Sequence, residues 1–501
     1  MRSILTGMQI SKSDFMLWRK QPAWLWLKKN DPDKLPPVDA ATQAIFDTGH
    51  DFEHFAEAQY PNGVQLGFDG YDEYRTLPER TAKALGAGAV TIFQGRFELG
   101  ELTFICDIVD VVDAESKTVD LFEIKSSTKA KPEHIIDLAF QTIVLKGLGY
   151  VVRNIAVIHV NKQFVRNGDI VPADITATTE VTNEVSEAMP TTKDEIEQAL
   201  ATAKLVEAPD LSPALASKDG FTDWLDVYIT IRPQEPGSIF ELCGLNPKLI
   251  GEFEEKGITR IVDIPNDFPL SRKQRLQVEA TKSGAPIIDV EKIQEFMAGL
   301  QYPLYFLDYE TMSSLVPYFD GLKPYQQLPT QYSLHVLPTP GGKLEHMEYI
   351  HTDNSNPALP LTEQLLKDIG DSGTVLVWYE GFEKARNSEL AELLPQHADG
   401  LRAINDRIVD LMLPFKNLWF VDGKFKGSAS IKNVYPALVP DGKSYKELDI
   451  QEGETAQRLW METVLYGKNP DQKDKILENL IEYCRLDTLA MVEIYKVLRG
   501  L

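Results

Sequence analysis

The stretch Leu304-Tyr305-Phe306-Leu307-Asp308-Tyr309-Glu310-Thr311 reads as an apolar β-strand interrupted by two acids. Alternate residues of a strand share a face, so Asp308 and Glu310 point the same way. Desolvating an unpaired carboxylate costs on the order of several kcal/mol or shifts its pKa, and a bound divalent cation removes that cost. A second such place lies far upstream, at Asp107 followed by Glu123 and Lys125 within Leu121-Phe122-Glu123-Ile124-Lys125-Ser126. Two acidic places in apolar strands predict two metal sites in an α/β chain.

The bulk numbers set the frame. At 501 residues the chain is too long for one ordinary core, so two or three domains are expected. Hydrophobic residues make up 43% and charged ones 25%, the mix of a soluble globular protein. No apolar run approaches the roughly 20 residues of a membrane span, and the start, MRSILTGMQISKSDFMLWRK, lacks a signal-peptide pattern. Cys106, Cys243 and Cys484 are too few and too scattered for a disulfide framework or a four-cysteine cluster. A cytoplasmic location is expected. The net charge of −24 argues against a general nucleic-acid coat. It leaves room for a nuclease, because metal-binding acids add negative charge while a local basic strip meets the phosphates. Arg2, Lys12, Arg19, Lys20, Lys28 and Lys29, set against Asp14 alone, form a candidate strip; a solvated surface face is the plainer reading.

Pattern along the chain predicts four segments. Residues 1–165 alternate as helices and strands: an aromatic, basic helix from Phe15 to Lys29, a helix from about Ala40 to Gln59, strands between Val90 and Lys125, a helix over Lys131–Leu148, and a strand at Val151–Val160. Residues 166–235 are polar and acidic around one amphipathic helix and read as a connection of modest cohesion. Residues 236–296 contain Leu242-Cys243-Gly244-Leu245-Asn246-Pro247-Lys248 and Glu255-Lys256-Gly257-Ile258-Thr259, which resemble a helix-hairpin-helix element whose turn offers backbone N–H groups to a phosphate. A plain helical spacer is the alternative. Residues 297–501 return to α/β, closing on a long helix over Ile476–Leu498.

In the last segment, Tyr483 and Asp487 are four apart on a helix and therefore neighbours on one face. Val375-Leu376-Val377-Trp378-Tyr379-Glu380-Gly381-Phe382-Glu383 runs from a strand into a helix start. The ordered parts, a strand DxE, an acid after Phe and a late YxxxD, resemble the DEDD exonucleases of the ribonuclease H-like fold. That resemblance implies four metal-holding carboxylates, Asp308, Glu310, Glu383 and Asp487, with Tyr483 orienting or deprotonating the attacking water. Glu383 stands where the second motif usually has Asp, and Asp410 is an alternative or supporting acid.

In the first segment, hairpin pairing brings Asp107 near Glu123, and Lys125 shares the Glu123 face. The D…ExK pattern resembles the PD-(D/E)XK nucleases, in which two acids hold Mg²⁺ or Mn²⁺ and the lysine assists the attacking water or the phosphorane charge. A salt-bridged hairpin is the plainer reading. Gly49-His50-Asp51-Phe52-Glu53 resembles a helix motif of the RecB-like branch, implying Glu53 as an added metal ligand with His54 as its alternative. Ala139-Phe140-Gln141 resembles the glutamine motif of that branch, implying that Gln141 contacts substrate or metal.

The whole order resembles a bacterial family that joins a RecB-like PD-(D/E)XK nuclease domain to a C-terminal DEDD-type exonuclease domain. The resemblance covers nearly the whole chain and implies a metal-dependent nuclease acting on DNA or RNA, with Lys12, Arg19, Gln141 and Lys432 as substrate-binding residues. Relatives of the first domain often carry four cysteines for an iron–sulfur cluster, one just before the early proline. Here Gln21 precedes Pro22 and Phe221–Tyr228 contains no cysteine, so no cluster is expected; packing of Trp24, Trp26 and Trp224 in its place and a less active first nuclease domain are the two open readings. Two other readings stay open: one active site with the other domain binding nucleic acid, or a non-catalytic adaptor of a repair or phage-defence complex.

Overall fold

A computed structural model describes residues 8–37, 49–50 and 52–501. Arg2, Asp51 and residues 40–48 of the helix expected between Ala40 and Gln59 lie outside the described residues. The chain is mixed α/β and divides into two compact units. One comprises the residues up to Gln234 with Asn246–Glu252 and Leu315–Pro324; the other comprises Glu235–Leu245, Phe253–Ser314 and Tyr325–Leu501. Among the described residues no helix is long and apolar enough to cross a membrane.

The first unit is organised by a six-stranded sheet. In spatial order its strands are Val64–Gln65, Thr91–Phe93, Ile108–Asp113, Thr118–Lys125, Val151–Val160 and Thr176–Glu180. Ile108–Asp113 and Thr118–Lys125 form an antiparallel hairpin. Helix Pro132–Gly147 then carries the chain over to Val151–Val160, which pairs parallel with Thr118–Lys125. Crossover helices of this kind exist because parallel neighbours cannot be joined by a tight turn. Phe15 of helix Lys12–Lys20 stacks on Phe140 at 5.4 Å, and both are fully buried with Val109, Leu121 and Leu138.

The acidic stretch after residue 165 is more cohesive than its composition predicts. Thr176–Glu180 completes the sheet edge, and the 22-residue helix Thr182–Ala203 buries Val185, Thr192, Ile196, Ala199 and Ala203. Those positions recur at steps of seven, four, three and four residues, the core-facing stripe of the amphipathic helix expected in this stretch. The early basic residues are also occupied. Lys12 pairs with Glu123, Arg19 with Glu195, Lys20 with Asp223, and Lys28 and Lys29 both with Asp14. The expected phosphate-binding strip is thus largely neutralised within the fold. At the position where the resemblance placed a cysteine, the fully buried Gln21 donates to the carbonyls of Asp210 (2.8 Å) and Ser212 (3.4 Å). Trp224 Nε1 donates to Leu211 O at 3.0 Å and its ring lies 5.6 Å from Trp24. Amide hydrogen bonds and indole packing therefore tie helices Lys12–Lys20 and Pro22–Asn30 to residues 210–224.

The second unit holds a five-stranded sheet ordered Glu345–Ile350, Leu328–Leu337, Leu304–Met312, Thr374–Val377 and Ile408–Asp410. The first three are antiparallel neighbours and the last two run parallel to Leu304–Met312. Most of the expected spacer belongs to this unit: Ile287–Ile288 pairs with Phe420–Val421, and Gln274 and Gln277 of helix Arg272–Ser283 grip the turn at Cys243. The Cys243 N–H donates to Gln277 Oε1 at 2.9 Å, so this turn does not offer that donor to a phosphate.

Helix Lys473–Arg499 covers the sheet. Strand Leu328–Leu337 is buried throughout although it carries Gln331, Ser333 and His335. The helix takes up most of this polarity: Gln331 Nε2 donates to Leu480 O (3.0 Å), leaving its Oε1 unpartnered, while Ser333 Oγ and His335 Nδ1 share Thr488 Oγ1 at 2.7 and 2.8 Å. Burial, with the charges of His346 and Arg485, pushes the His335 imidazole down to about 3. Its folded pKa lies below the unfolded value, so its contribution is present above pH 6.5 and is lost on acidification toward the folded value. The expected loss is about 2 kcal/mol by pH 5. Urea midpoints at pH 7.5 and pH 5 check this. His335→Asn is expected to be weaker at pH 7.5 but to lose less on acidification; equal losses in both proteins would refute the assignment.

Candidate metal centres

The first cluster is built on strand Leu304–Met312. Asp308 pairs across the ladder with Ser333 and Glu310 with Gln331, and a bulge follows Glu310. The terminal helix contributes Tyr483, Cys484 and Asp487. Cys484 Sγ donates weakly to Asp308 Oδ2 at 3.6 Å, and ligand atoms of Asp308, Glu310 and Cys484 lie within 4.8 Å of one another. Asp487 Oδ1 accepts from Tyr445 O–H at 2.5 Å. Glu383, in the first turn of helix Glu380–Leu393, is only 2% exposed, and its Oε2 is buried without a hydrogen-bond partner. A cleft of ≈ 170 Å³ is lined by Asp308, Glu310, Trp378, Lys432, Tyr483 and Asp487.

The electrostatics show a shortage of positive charge. Burial, then Asp487, pushes the Asp308 carboxyl well above its ordinary range. Burial with Asp308 and Asp487 does the same to Glu310, opposed by Lys432. Asp487 is raised to about 6 by burial, against the Tyr445 hydrogen bond and Lys432. Glu383 is raised by burial and then by Asp308. Lys432 is itself engaged with Glu452 (2.5 Å), with its Nζ 5.7 Å from the Tyr483 ring centroid. An orphaned carboxylate oxygen among like-charged buried acids fits a hard divalent cation. Asp487 suits such an ion better than Cys484, whose thiol burial holds well above its usual pKa and hence protonated. Tyr483 is likewise raised, by burial and then by Asp487 and Glu310, so it remains a phenol that donates a hydrogen bond.

Asp410 has another task. It is buried, and its Oδ1 accepts from the N–H groups of Tyr379 (3.1 Å) and Met412 (3.0 Å). It therefore shapes the turn that presents Glu383 instead of facing the cleft as a ligand. Tyr445 and the Cys484 thiol were missed in the sequence, because nothing local distinguishes them from core residues.

The second cluster is compensated. Glu123, 1% exposed on strand Thr118–Lys125, accepts on Oε1 from Lys12 (2.7 Å) and Lys125 (2.6 Å) and on Oε2 from Gln141 (2.6 Å). Asp137 joins them, 3.0 Å from Lys125 and 3.7 Å from Lys12. Burial opposes ionisation of Glu123, but Lys12 and Lys125 outweigh it and hold its pKa well below the carboxylate range. Asp107 accepts from Ile124 N–H at 2.6 Å and is raised to about 8 by burial and by Glu123. Glu53 accepts from Gln94 Nε2 at 3.3 Å, and its charge reaches Asp107. His54 is exposed beside Glu57, and Arg19 lies in its ion pair with Glu195, so neither joins this cluster. Asp137, four residues before Gln141 on one helix face, is the member that motif spacing did not single out. Asp107 and the unpartnered Gln141 Oε1 leave this cluster room for a cation, though Glu123 already carries two ammonium groups.

Residues 305–430, which include Asp308, Glu310, Glu383 and Asp410, match the family model described as a domain of unknown function (DUF2779). The chain is 25% identical over 215 residues to "Uncharacterized protein MG366" of Mycoplasma genitalium, covering 39% of this chain and 32% of that protein. It is 27% identical over 205 residues to "Uncharacterized protein MG366 homolog" of Mycoplasma pneumoniae, covering 38% and 31%. The chain thus spans about a third of the length of these curated relatives. The matched residues include most of strand Leu304–Met312 and all of helix Glu380–Leu393, which carry Asp308, Glu310 and Glu383, and stop short of Tyr483 and Asp487.

Proposed function

We propose that this chain is a metal-dependent nuclease, with a ribonuclease H-like exonuclease site in the second unit and a PD-(D/E)XK-like site in the first. The observation that carries the reading is the meeting of Asp308, Glu310 and Asp487 at one cleft with too little positive charge, with the buried Glu383 in electrostatic reach of Asp308. The sheet order, three antiparallel strands followed by two parallel ones, supports the fold assignment. Asp308, Glu310, Glu383 and Asp487 would hold Mg²⁺ or Mn²⁺, which supplies Lewis-acid polarisation and a water of lowered pKa. The Tyr483 phenol orients a water by hydrogen bonding, Lys432 offers its ammonium to a phosphate oxygen, and Trp378 walls the cleft. Three free thiols, Cys106, Cys243 and Cys484, suit a reducing cytoplasm.

One observation favours a narrower version, in which only the second unit cleaves and the first binds nucleic acid. Glu123 is already neutralised by two lysines. End-labelled single- and double-stranded DNA and RNA incubated with Mn²⁺ separate these versions. In the narrower version Asp308→Asn is expected to abolish all cleavage; in the two-site version it abolishes end-trimming but leaves cleavage that adding Asp107→Asn removes. If no substrate is cut with either cation and binding survives EDTA, the chain is an adaptor and the nuclease reading is wrong.

A further inference from the structure

Strand Thr374–Val377 passes into helix Glu380–Leu393 through two consecutive aromatic residues with opposite fates. Trp378 lines the cleft beside Asp308 and Glu310, held by its Nε1 donating to Ala429 O at 3.1 Å and by Phe415, 5.7 Å away between ring centroids. Tyr379 is 53% exposed. Its backbone adopts φ 82° and ψ 77°, a left-handed conformation that a bulky side chain rarely occupies. Asp410 holds it there through the Tyr379 N–H, while also fixing Met412. A β-carbon at Gly381 would lie 3.5 and 3.6 Å from Tyr379 Cζ and Oη, so the ring lies close along the backbone at that glycine. Lys416, itself exposed, places its Nζ 5.7 Å from the centre of the Tyr379 ring. Among the described residues it has no carboxylate within ion-pair distance.

A single exposed aromatic is ordinary. An aromatic kept exposed in a strained backbone, braced by a buried acid and next to a reactive-looking cleft, is not explained by packing. Its exposed ring and the neighbouring ammonium match what an unpaired nucleotide presents, a flat base and a phosphate. We propose that Tyr379 and Lys416 form a stacking subsite for one unpaired base of a single-stranded nucleic acid whose backbone leads into the Asp308 cleft. This rests on the reading of that cleft as a phosphodiester-cleaving site. Stacking on an aromatic tolerates every base, so the subsite selects single strands over duplexes and is indifferent to sequence.

The test uses full-length protein carrying Asp308→Asn, with Ca²⁺, and a fluorescein-labelled oligothymidylate read by anisotropy; an oligonucleotide containing 2-aminopurine reports stacking directly. In this background Tyr379→Phe keeps affinity and quenching. Tyr379→Gly suits the left-handed backbone and so leaves the fold at least as stable, yet weakens single-strand binding about tenfold or more, abolishes the quenching and leaves duplex binding unchanged. Lys416→Gln weakens binding with a shallower salt dependence. Unaltered binding and quenching by Tyr379→Gly, with the unmutated protein still cutting single strands, would overturn the subsite and spare the nuclease reading. If the unmutated protein neither binds nor cuts single strands, both are overturned.

Discussion

Asp308→Asn raises the thermal midpoint of the metal-free protein while lowering its Mn²⁺-dependent cleavage on the order of 10³-fold or more. The two changes share a cause. Asp308 is half-buried beside Asp487 and Glu310, and each negative charge makes the others harder to maintain. Asparagine keeps the shape and an oxygen for the Cys484 thiol, but removes a charge from a place that already has too many. A gain of even about 1 kcal/mol moves the midpoint by roughly 2–4 °C in a unit of this size. Added Mn²⁺ should then stabilise the unmutated protein, by about 2.7 kcal/mol at one hundred times its Kd, and the variant far less. Calorimetry with and without Mn²⁺ reads both effects. A variant that melts lower than its parent without metal would show that Asp308 serves packing rather than an ion.

Glu123→Gln, the same type of change in the other unit, should have the opposite sign. Glu123 is the shared acceptor of Lys12, Lys125 and Gln141 in a nearly water-free place. Neutralising it leaves two buried ammonium groups facing mainly Asp137, and breaking a buried pair in this way costs about 3–5 kcal/mol. The urea midpoint of the first unit should fall accordingly. Asp107→Asn should not do this, because Asp107 is the acid that burial and Glu123 hold up at about 8 and the Ile124 N–H still finds an oxygen. A Glu123→Gln protein with an unchanged midpoint would mean the lysines do not depend on that carboxylate. Loss of activity in a Glu123 variant is therefore ambiguous, and Asp107→Asn is the cleaner probe of chemistry in this unit.

Strand and helix periods made part of this legible from residues alone. Asp308 and Glu310 share a face because two-residue alternation is imposed by backbone geometry. Tyr483 and Asp487 likewise share a helix face, and both reach the cleft. An amphipathic helix was legible over Lys193–Leu205, but not its start at Thr182 or its hold on the core, since the buried stripe is small and set among acids. The burial of Gln331 and His335 has no local signal either: it depends on Leu480 and Thr488, far along the chain.

What the sequence by itself determined is which acids lie on a common face and where the α/β segments fall, because these follow from repeats of two and of 3.6 residues. Only the tertiary structure decided which acids are left without counter-charge. Lys12 reaches Glu123 across 111 residues, and Asp410 turns out to brace Tyr379. Partnerships over such separations are selected by packing of the whole sheet and its helices, and Coulomb energy in a dry interior depends on distances that no local pattern encodes.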